Sequence, residues 1–263
     1  MLIKVMAVQA HMGERLTLEE KIHIFKQRPD FVCLPEYYLI DPSITDYHRA
    51  AMCQPEFLDY LCRLSDELHT CIVGGTIVEA DSDRLYNTAY VIDRGSILGK
   101  YRKRFPVPGE LARGISPGQE NLVITIDGVK IAMMICGDVF YPHMYDELRD
   151  AGADIIFVPT TSLYRPDDSL SQKRDRDHRY FLAGAAQARA YVVKVCGVGE
   201  IFGRPLQGRS LIAAPWGILQ QTSMYEESQC RMLTATLDIA EVREFGHKLQ
   251  TNQPNVKVSS LLM

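Results

Sequence analysis

Hydrophobic and polar positions along the chain repeat with two different periods. Residues 2–9 (LIKVMAVQ) form an apolar run of strand length, and residues 30–36 (DFVCLPE) form another that stops at a Pro-Glu pair. Between them Leu18, Ile22 and Phe25 follow at helical spacing, behind Thr17-Leu18-Glu19-Glu20, a capping-box sequence. Phe57, Leu58, Leu61, Leu64 and Leu68 mark an amphipathic helix with Pro55 in its first turn. Next come CIVGGTIVEA, LYNTAYVIDRG, SILGKYRKRF, NLVITIDGV and KIAMMICGD, apolar or alternating runs bounded by turn residues, as strands are. Asp127-Gly128 suits a hairpin turn between the last two. PHMYDELRDAGA predicts a helix, DIIFVPT a strand, and the segment from about Lys173 to Ala190 a further helix. YVVKVCGVG, RSLIAAP and RMLTATLD read as closing strands, before a last helix near Ile239–Phe245.

Strand–helix–strand units are thus mixed with runs of consecutive strands. A doubly wound parallel sheet would alternate more strictly, so the order predicts a layered α/β sandwich with mixed sheets. No internal repeat or low-complexity linker is visible. Residues 164–179 (YRPDDSLSQKRDRDHR) are the most polar stretch and read as a solvated loop leading into a helix.

Composition narrows the class. The 263 residues favour one large domain, and 46% hydrophobic residues allow a sizeable core. A formal net charge of -4 speaks against a nucleic-acid partner. The seven cysteines show no CxxC pair and no zinc-type spacing, and Cys53, Cys62 and Cys71 fall in a helix-like stretch and a strand start. A reducing, cytoplasmic setting is therefore expected. The N-terminal apolar run is short and lacks a cleavage pattern, and no run reaches the roughly 20 apolar residues of a bilayer span, so neither export nor a membrane role is expected.

Three residues carry candidate chemistry. Cys136 ends the strand pattern KIAMMI and is followed by Gly137-Asp138, where a turning chain opens a pocket. Glu36 also ends a strand and precedes Tyr37 and Tyr38, so it is placed to be partly desolvated, a setting in which carboxylates serve as general bases. Lys103 shares a strand face with Tyr101 and Phe105, opposite Arg102 and Arg104, and an inward lysine needs an anionic partner. Singly, each also reads as ordinary structure: a core cysteine, a turn glutamate, a basic strand edge. Together they suffice for thiol catalysis, because a carboxylate can take the thiol proton and an ammonium can stabilise the charge that develops on a substrate.

The ordered set resembles the nitrilase superfamily of carbon–nitrogen hydrolases. LPE36 resembles the family's Pro-Glu strand end, residues 85–105 the stretch carrying the family lysine at Lys103, and residues 131–138 (IAMMICGD) the cysteine strand with Cys136. ADIIFVPTTS, QARAYVV and RSLIAAPWG resemble later family segments. The resemblance implies a four-layer α-β-β-α sandwich over 1–263, with the segment from about 246 as a tail or dimer-exchange arm, and a homodimer or higher homo-oligomer. It implies a Cys136 thioester, Glu36 as general base and acid, an oxyanion held by Lys103 and the Gly137 backbone N–H, a small-molecule substrate, and no cofactor or metal. Glu110 is the natural match for a second glutamate found after the lysine in family amidases. Tyr37, Phe140 and Thr160 are candidate substrate contacts.

The departures bear on substrate. Nitrile-hydrolysing members carry Trp-Glu after the cysteine, whereas Gly137-Asp138 is the amidase-like form, so a small amide is expected over a nitrile, with carbamoyl amides also open. Where many amidases show Arg-Phe-Pro-Glu, this chain has Phe140-Tyr141-Pro142-His143, which removes an expected carboxylate anchor unless Arg165, Arg174 or Arg176 replaces it. With no synthetase or sugar-binding module in the sequence, an ammonia-donating half of a larger enzyme is not expected. Two readings compete: a nitrilase-like protein that binds without turnover, and an unrelated thiol enzyme using Cys136 with His143.

Overall fold

A computed structural model describes residues 1–251 of the chain. In chain order the elements are β1 (Leu2–His11), α1 (Leu18–Gln27), β2 (Phe31–Cys33), α2 (Tyr47–Met52), α3 (Gln54–Leu68), β3 (Cys71–Asp81), β4 (Arg84–Asp93), β5 (Ser96–Arg102), α4 (Pro108–Leu111), β6 (Val123–Ile126) and β7 (Val129–Met133). There follow α5 (Pro142–Asp150), β8 (Ile155–Thr160), α6 (Leu170–Asp177), α7 (Ala183–Ala188), β9 (Tyr191–Val198), β10 (Glu200–Ile201), β11 (Arg204–Pro205), β12 (Leu211–Ala214), β13 (Gly217–Gln221), β14 (Arg231–Asp238) and α8 (Ile239–Thr251). The last helix runs past its expected end at Phe245, so residues 246–251, expected as the start of an arm, continue α8. The rest of that expected arm lies outside the described residues.

Twelve of the strands form two joined sheets of similar plan, and β10 and β11 pair separately as a two-stranded ribbon. In the first, β5-β4-β3-β2-β1-β14, the parallel strands β1, β2 and β3 are flanked by antiparallel neighbours. In the second, β6-β7-β8-β9-β12-β13, the parallel set is β7, β8 and β9. They join where Ala10 and His11 pair with Gly197 and Val198. Apolar side chains from β1, β2 and β3 meet those of the second sheet between the layers, with the Phe31 and Phe157 rings 5.7 Å apart. Helix α3 covers the outer face of the first sheet through Phe57, Leu61, Leu64 and Leu68. Helices α5 and α7 cover the second through Met144, Leu148, Ala185 and Ala188. The result is the expected helix–sheet–sheet–helix sandwich.

Local sequence accounts for much of this. The Thr17–Glu20 capping box starts α1, and Asp127 and Gly128, both at positive φ, close the β6–β7 hairpin. The apolar residues that mark α1 in the sequence do not form its buried face, however. Leu18, Ile22 and Phe25 are exposed, and Ile24 is the buried residue of the helix, in the cluster it shares with α3. The entry to α1 is fixed by buried Leu16, whose N–H donates to the Tyr60 hydroxyl of α3, so the helix packs at a phase that its own spacing did not show.

The fold brings several strand ends to one edge of the sandwich. Parallel β2, β7 and β8 point their carboxyl ends the same way within their sheets, and two antiparallel pairings return β5 to the direction of β3. A bulge in β3 at Gly74-Gly75 shapes this edge. Gly75 has φ +66°, and a Cβ there would lie 2.0 Å from the Pro35 carbonyl oxygen, so β3 can lie against the Leu34-Pro35-Glu36 turn only with glycine present.

Gly75→Ala is predicted to cost about 1–3 kcal/mol, lowering Tm by several degrees, because a strained φ and a backbone clash coincide. Gly217→Ala, with open space at its Cβ and no positive φ, is predicted to leave Tm within about 1 °C. Thermal melts of both variants check this; equal Tm values would contradict it.

Candidate active site

Each candidate side chain is held by the turn that follows its strand. After β2, the Leu34 N–H donates to the Val73 carbonyl (2.9 Å) and the Tyr37 N–H to Thr76 Oγ1 (2.9 Å). Tyr37 itself sits at φ +58°, which turns the chain sharply after Glu36. Lys103 follows β5, with its N–H on the Asn87 carbonyl and its carbonyl accepting from Gly118, both at 2.8 Å. The inward phase read from the alternation is observed: Tyr101 and Lys103 are buried, while Arg102 turns out to Glu79 and Asp81.

Cys136 begins a 3₁₀ turn, Cys136–Phe140, at φ +44°. Asp138 stabilises this conformation. Its carboxylate accepts from the Ile135 N–H (2.9 Å), the Tyr101 hydroxyl (2.7 Å) and the Phe105 N–H (2.9 Å). Tyr101 and Phe105 flank Lys103 in sequence, so Asp138 ties the cysteine turn to the lysine segment. Burial pushes the Asp138 carboxyl above its ordinary value, with Lys103 and these donors opposing that rise. Gly137 fits where little else would, since a Cβ there would stand 2.7 Å from Val107 Cγ1 and 3.9 Å from Lys103 Cε.

The ionic centre consists of two carboxylates on one ammonium. Lys103 Nζ lies 2.9 Å from Glu36 Oε1 and 2.7 Å from Glu110 Oε2, and all three side chains are at most 5% exposed. Burial alone would pull the Lys103 ammonium down, but the Glu36 carboxylate, followed by Cys136 and Glu110, holds it well above its ordinary value. Burial pushes the Glu110 carboxyl up, yet Lys103, the Tyr37 hydroxyl and the Val107 N–H outweigh this and leave it below 4.5. Asn87 Nδ2 bridges the carboxylates, donating to Glu36 Oε1 and Glu110 Oε1 at 2.8 Å each. Reversing that amide would set its oxygen against two anions, which explains why Oδ1 is left without a partner among the described residues.

The second oxygen of Glu36 is held by one residue. Thr161 donates to Oε2 twice, from its N–H (2.8 Å) and from its hydroxyl (2.6 Å). The Cys136 thiol in turn donates to the Thr161 carbonyl at 3.5 Å. Burial pushes this thiol well above its usual value; Glu36 adds to the effect and Lys103 opposes it. At neutral pH the resting sulfur therefore keeps its proton.

Cys136, Lys103, Glu110, Tyr37, Phe140 and Thr160 all line one cavity of about 330 Å³. Tyr37 donates to Glu110 Oε1 at 2.7 Å, and Phe140 meets Tyr180 edge-on. Thr160 lines the wall but turns its hydroxyl back to the Val158 carbonyl. Thr161 and Asn87 were missed from sequence; the sole hint was their polarity in otherwise apolar strand patterns. His143 packs against Phe105 and Tyr141 and is not part of the cavity wall, which removes the geometric basis for a Cys136–His143 pair. Among the described residues no group of three His, Cys, Asp or Glu side chains could hold a metal ion.

The polar stretch 164–179 is more than a solvated loop. Arg165, Lys173, Arg176 and Asp177 line the cavity. Asp177 is buried and accepts from Lys194 (2.8 Å), Gln221 (3.0 Å) and Arg209. Lys173 pairs with Glu227, and Arg176 with Asp168. Arg113, Arg165 and Arg204 reach the same cavity and form no ion pair among the described residues. Arg113 lies over the Phe202 ring.

Comparison with known proteins identifies the family and the fold. A model of the carbon–nitrogen hydrolase family matches residues 6–246. The chain is 28% identical over 250 residues to the glutamine-dependent NAD(+) synthetase of Aquifex aeolicus, covering 88% of this chain and 40% of that protein. It is 30% identical over 176 residues to the 2-oxoglutaramate amidase of Bacillus subtilis, covering 66% of this chain and 65% of that one. It thus spans less than two thirds of either relative. A carbon–nitrogen hydrolase from Helicobacter pylori G27 shares the fold, with a TM-score of 0.80 at 18% identity over 96% of both chains. The chain belongs to the nitrilase superfamily of carbon–nitrogen hydrolases.

Proposed function

We propose that the chain hydrolyses an amide to its acid and ammonia through a thioester on Cys136. The observation that carries this reading is the Glu36–Lys103–Glu110 ion triplet beneath a cavity that also presents the Cys136 thiol. The Cys136 proton passes to Glu36 as sulfur forms a bond to the amide carbon, and the carbonyl electron pair moves onto oxygen. Lys103 and the Gly137 N–H hold that oxyanion. Glu36 returns the proton to the nitrogen, the carbon–nitrogen bond breaks and ammonia leaves. Glu36 then takes a proton from water, the hydroxyl adds to the thioester carbon, and the acid departs as the sulfur is reprotonated. Glu110 keeps Lys103 charged and placed.

The cavity favours an amide whose far end is anionic. Phe140 removes one carboxylate anchor, but the guanidinium groups of Arg113, Arg165 and Arg204, which form no ion pair among the described residues, supply others, while Lys173, Arg176, Lys194 and Arg209 already have carboxylate partners. The 2-oxoglutaramate amidase among the relatives is consistent with this.

Cys136→Ser is predicted to abolish ammonia release from a panel of small amides, and iodoacetamide to label Cys136 before the other six cysteines. Preferential labelling elsewhere would contradict the assignment. Because the resting sulfur is a thiol, Glu36→Gln is predicted to lower kcat/KM by roughly 10²–10⁴-fold; wild-type rates would mean that a preformed thiolate does the work.

Arg113→Ala and Arg204→Ala are predicted to raise KM several-fold for carboxylate-bearing amides and to leave neutral amides unaffected. Equal effects on both substrate types would remove the anionic reading.

The ion triplet sets a pH window. Glu110 is held below 4.5 in the folded chain, so its contribution is full above 4.5 and is lost as pH falls through its folded value. Lys103 is held above 10.5, so its contribution is full below 10.5 and is lost as pH rises through its folded value. The Tm gap between the chain and Glu110→Gln is therefore predicted to be steady between these limits and to shrink in acid. Melts at stepped pH check this, and an unchanged gap at acid pH would contradict it.

A further inference from the structure

A carboxylate offers about four acceptor positions, and all four on Glu36 are taken. Oε1 accepts from Lys103 and Asn87, and Oε2 accepts from the Thr161 N–H and hydroxyl. Glu36 is fully buried and is not part of the cavity wall, whereas Lys103, Thr161 and Cys136 are. A proton leaving the sulfur therefore meets a base with no vacant position. Three of its donors are fixed: Lys103 is shared with Glu110, Asn87 bridges both carboxylates, and the Thr161 N–H belongs to the backbone.

The fourth donor differs in kind. A hydroxyl turns about its Cβ–Oγ bond without moving heavy atoms, and it can accept one hydrogen bond while donating another. The thiol already rests on the carbonyl of this same residue. We propose that the Thr161 hydroxyl relays the proton from Cys136 to Glu36. In this step the sulfur–hydrogen bond breaks and its electron pair forms the new carbon–sulfur bond. Thr161 Oγ1 gains the thiol proton as it passes its own to Glu36 Oε2. Cys136 is left without the proton, Glu36 becomes neutral, and Thr161 ends as the hydroxyl it was.

This inference rests on the assignment of Cys136 and Glu36 above, and the two fail separately. Persistent turnover in Cys136→Ser would remove the assignment, whereas the relay is tested by Thr161 variants of the active chain. Thr161→Val preserves shape and the backbone N–H, and Thr161→Ser preserves the hydroxyl. For a small amide, kcat/KM reports the steps through ammonia release. The valine variant is predicted to lose roughly 10²-fold in kcat/KM, and the serine variant to stay within about threefold of the original chain. In mixtures of light and heavy water, the chain and its serine variant are predicted to show a curved dependence from two protons in flight, and the valine variant a straight line from one. If Thr161→Val melts more than a few degrees early, Thr161→Ala and Thr161→Ser are compared instead. A valine or alanine variant with the original rate, or a serine variant as slow as valine, would overturn the relay, as would an identical proton dependence in all variants.

Discussion

Everything at this site depends on how a buried ammonium is kept charged. Taking Lys103 out of water is costly, and a single carboxylate partner would leave much of its hydrogen-bonding capacity unused. Here two carboxylates from distant parts of the chain converge on it, Glu36 from the end of β2 and Glu110 from α4. The two acids repel one another, and Asn87 and Lys103 between them offset that repulsion. The triplet carries a formal charge of -1, which suits the proposed reaction, in which a leaving nitrogen must be protonated.

The same centre explains the arrangement around it. The bulge at Gly75 lets β3 approach the Glu36 turn, and Asp138 joins the Cys136 turn to Tyr101 and Phe105, two residues to either side of Lys103. Glu36 and Cys136 therefore come from different sheets and are held in register by short, buried contacts. The left-handed backbone at Tyr37 and at Cys136 marks where the chain is bent to do this.

Much of this was legible in the sequence where the signal is local. The hairpin at Asp127-Gly128, the capping box at Thr17 and the inward phase of Lys103 each depend on a few adjacent residues. The motif order identified the family and its layered fold. What escaped depends on contacts distant in sequence. Which face of α1 is buried could not be read from its spacing, because Leu16 and Tyr60 fix its phase, and Ile24 rather than Phe25 enters the core. Thr160 drew attention in place of Thr161 because strand alternation stops at that point and the turn decides which hydroxyl faces Glu36. Asn87 looked like one polar residue in a strand until Glu36 and Glu110 were seen on either side of it. The polar stretch after Tyr164 was read as solvated because its partners Lys194, Arg209 and Glu227 lie far along the chain.

The central claim is that acyl transfer passes through Cys136. Intact-mass analysis of the chain quenched during turnover of a slow amide, followed by peptide mapping, tests it most directly. The account predicts a mass gain equal to the acyl part of the substrate, removable by hydroxylamine and located on the peptide that contains Cys136. Steady release of ammonia with no such adduct, or an adduct on another residue, would contradict it.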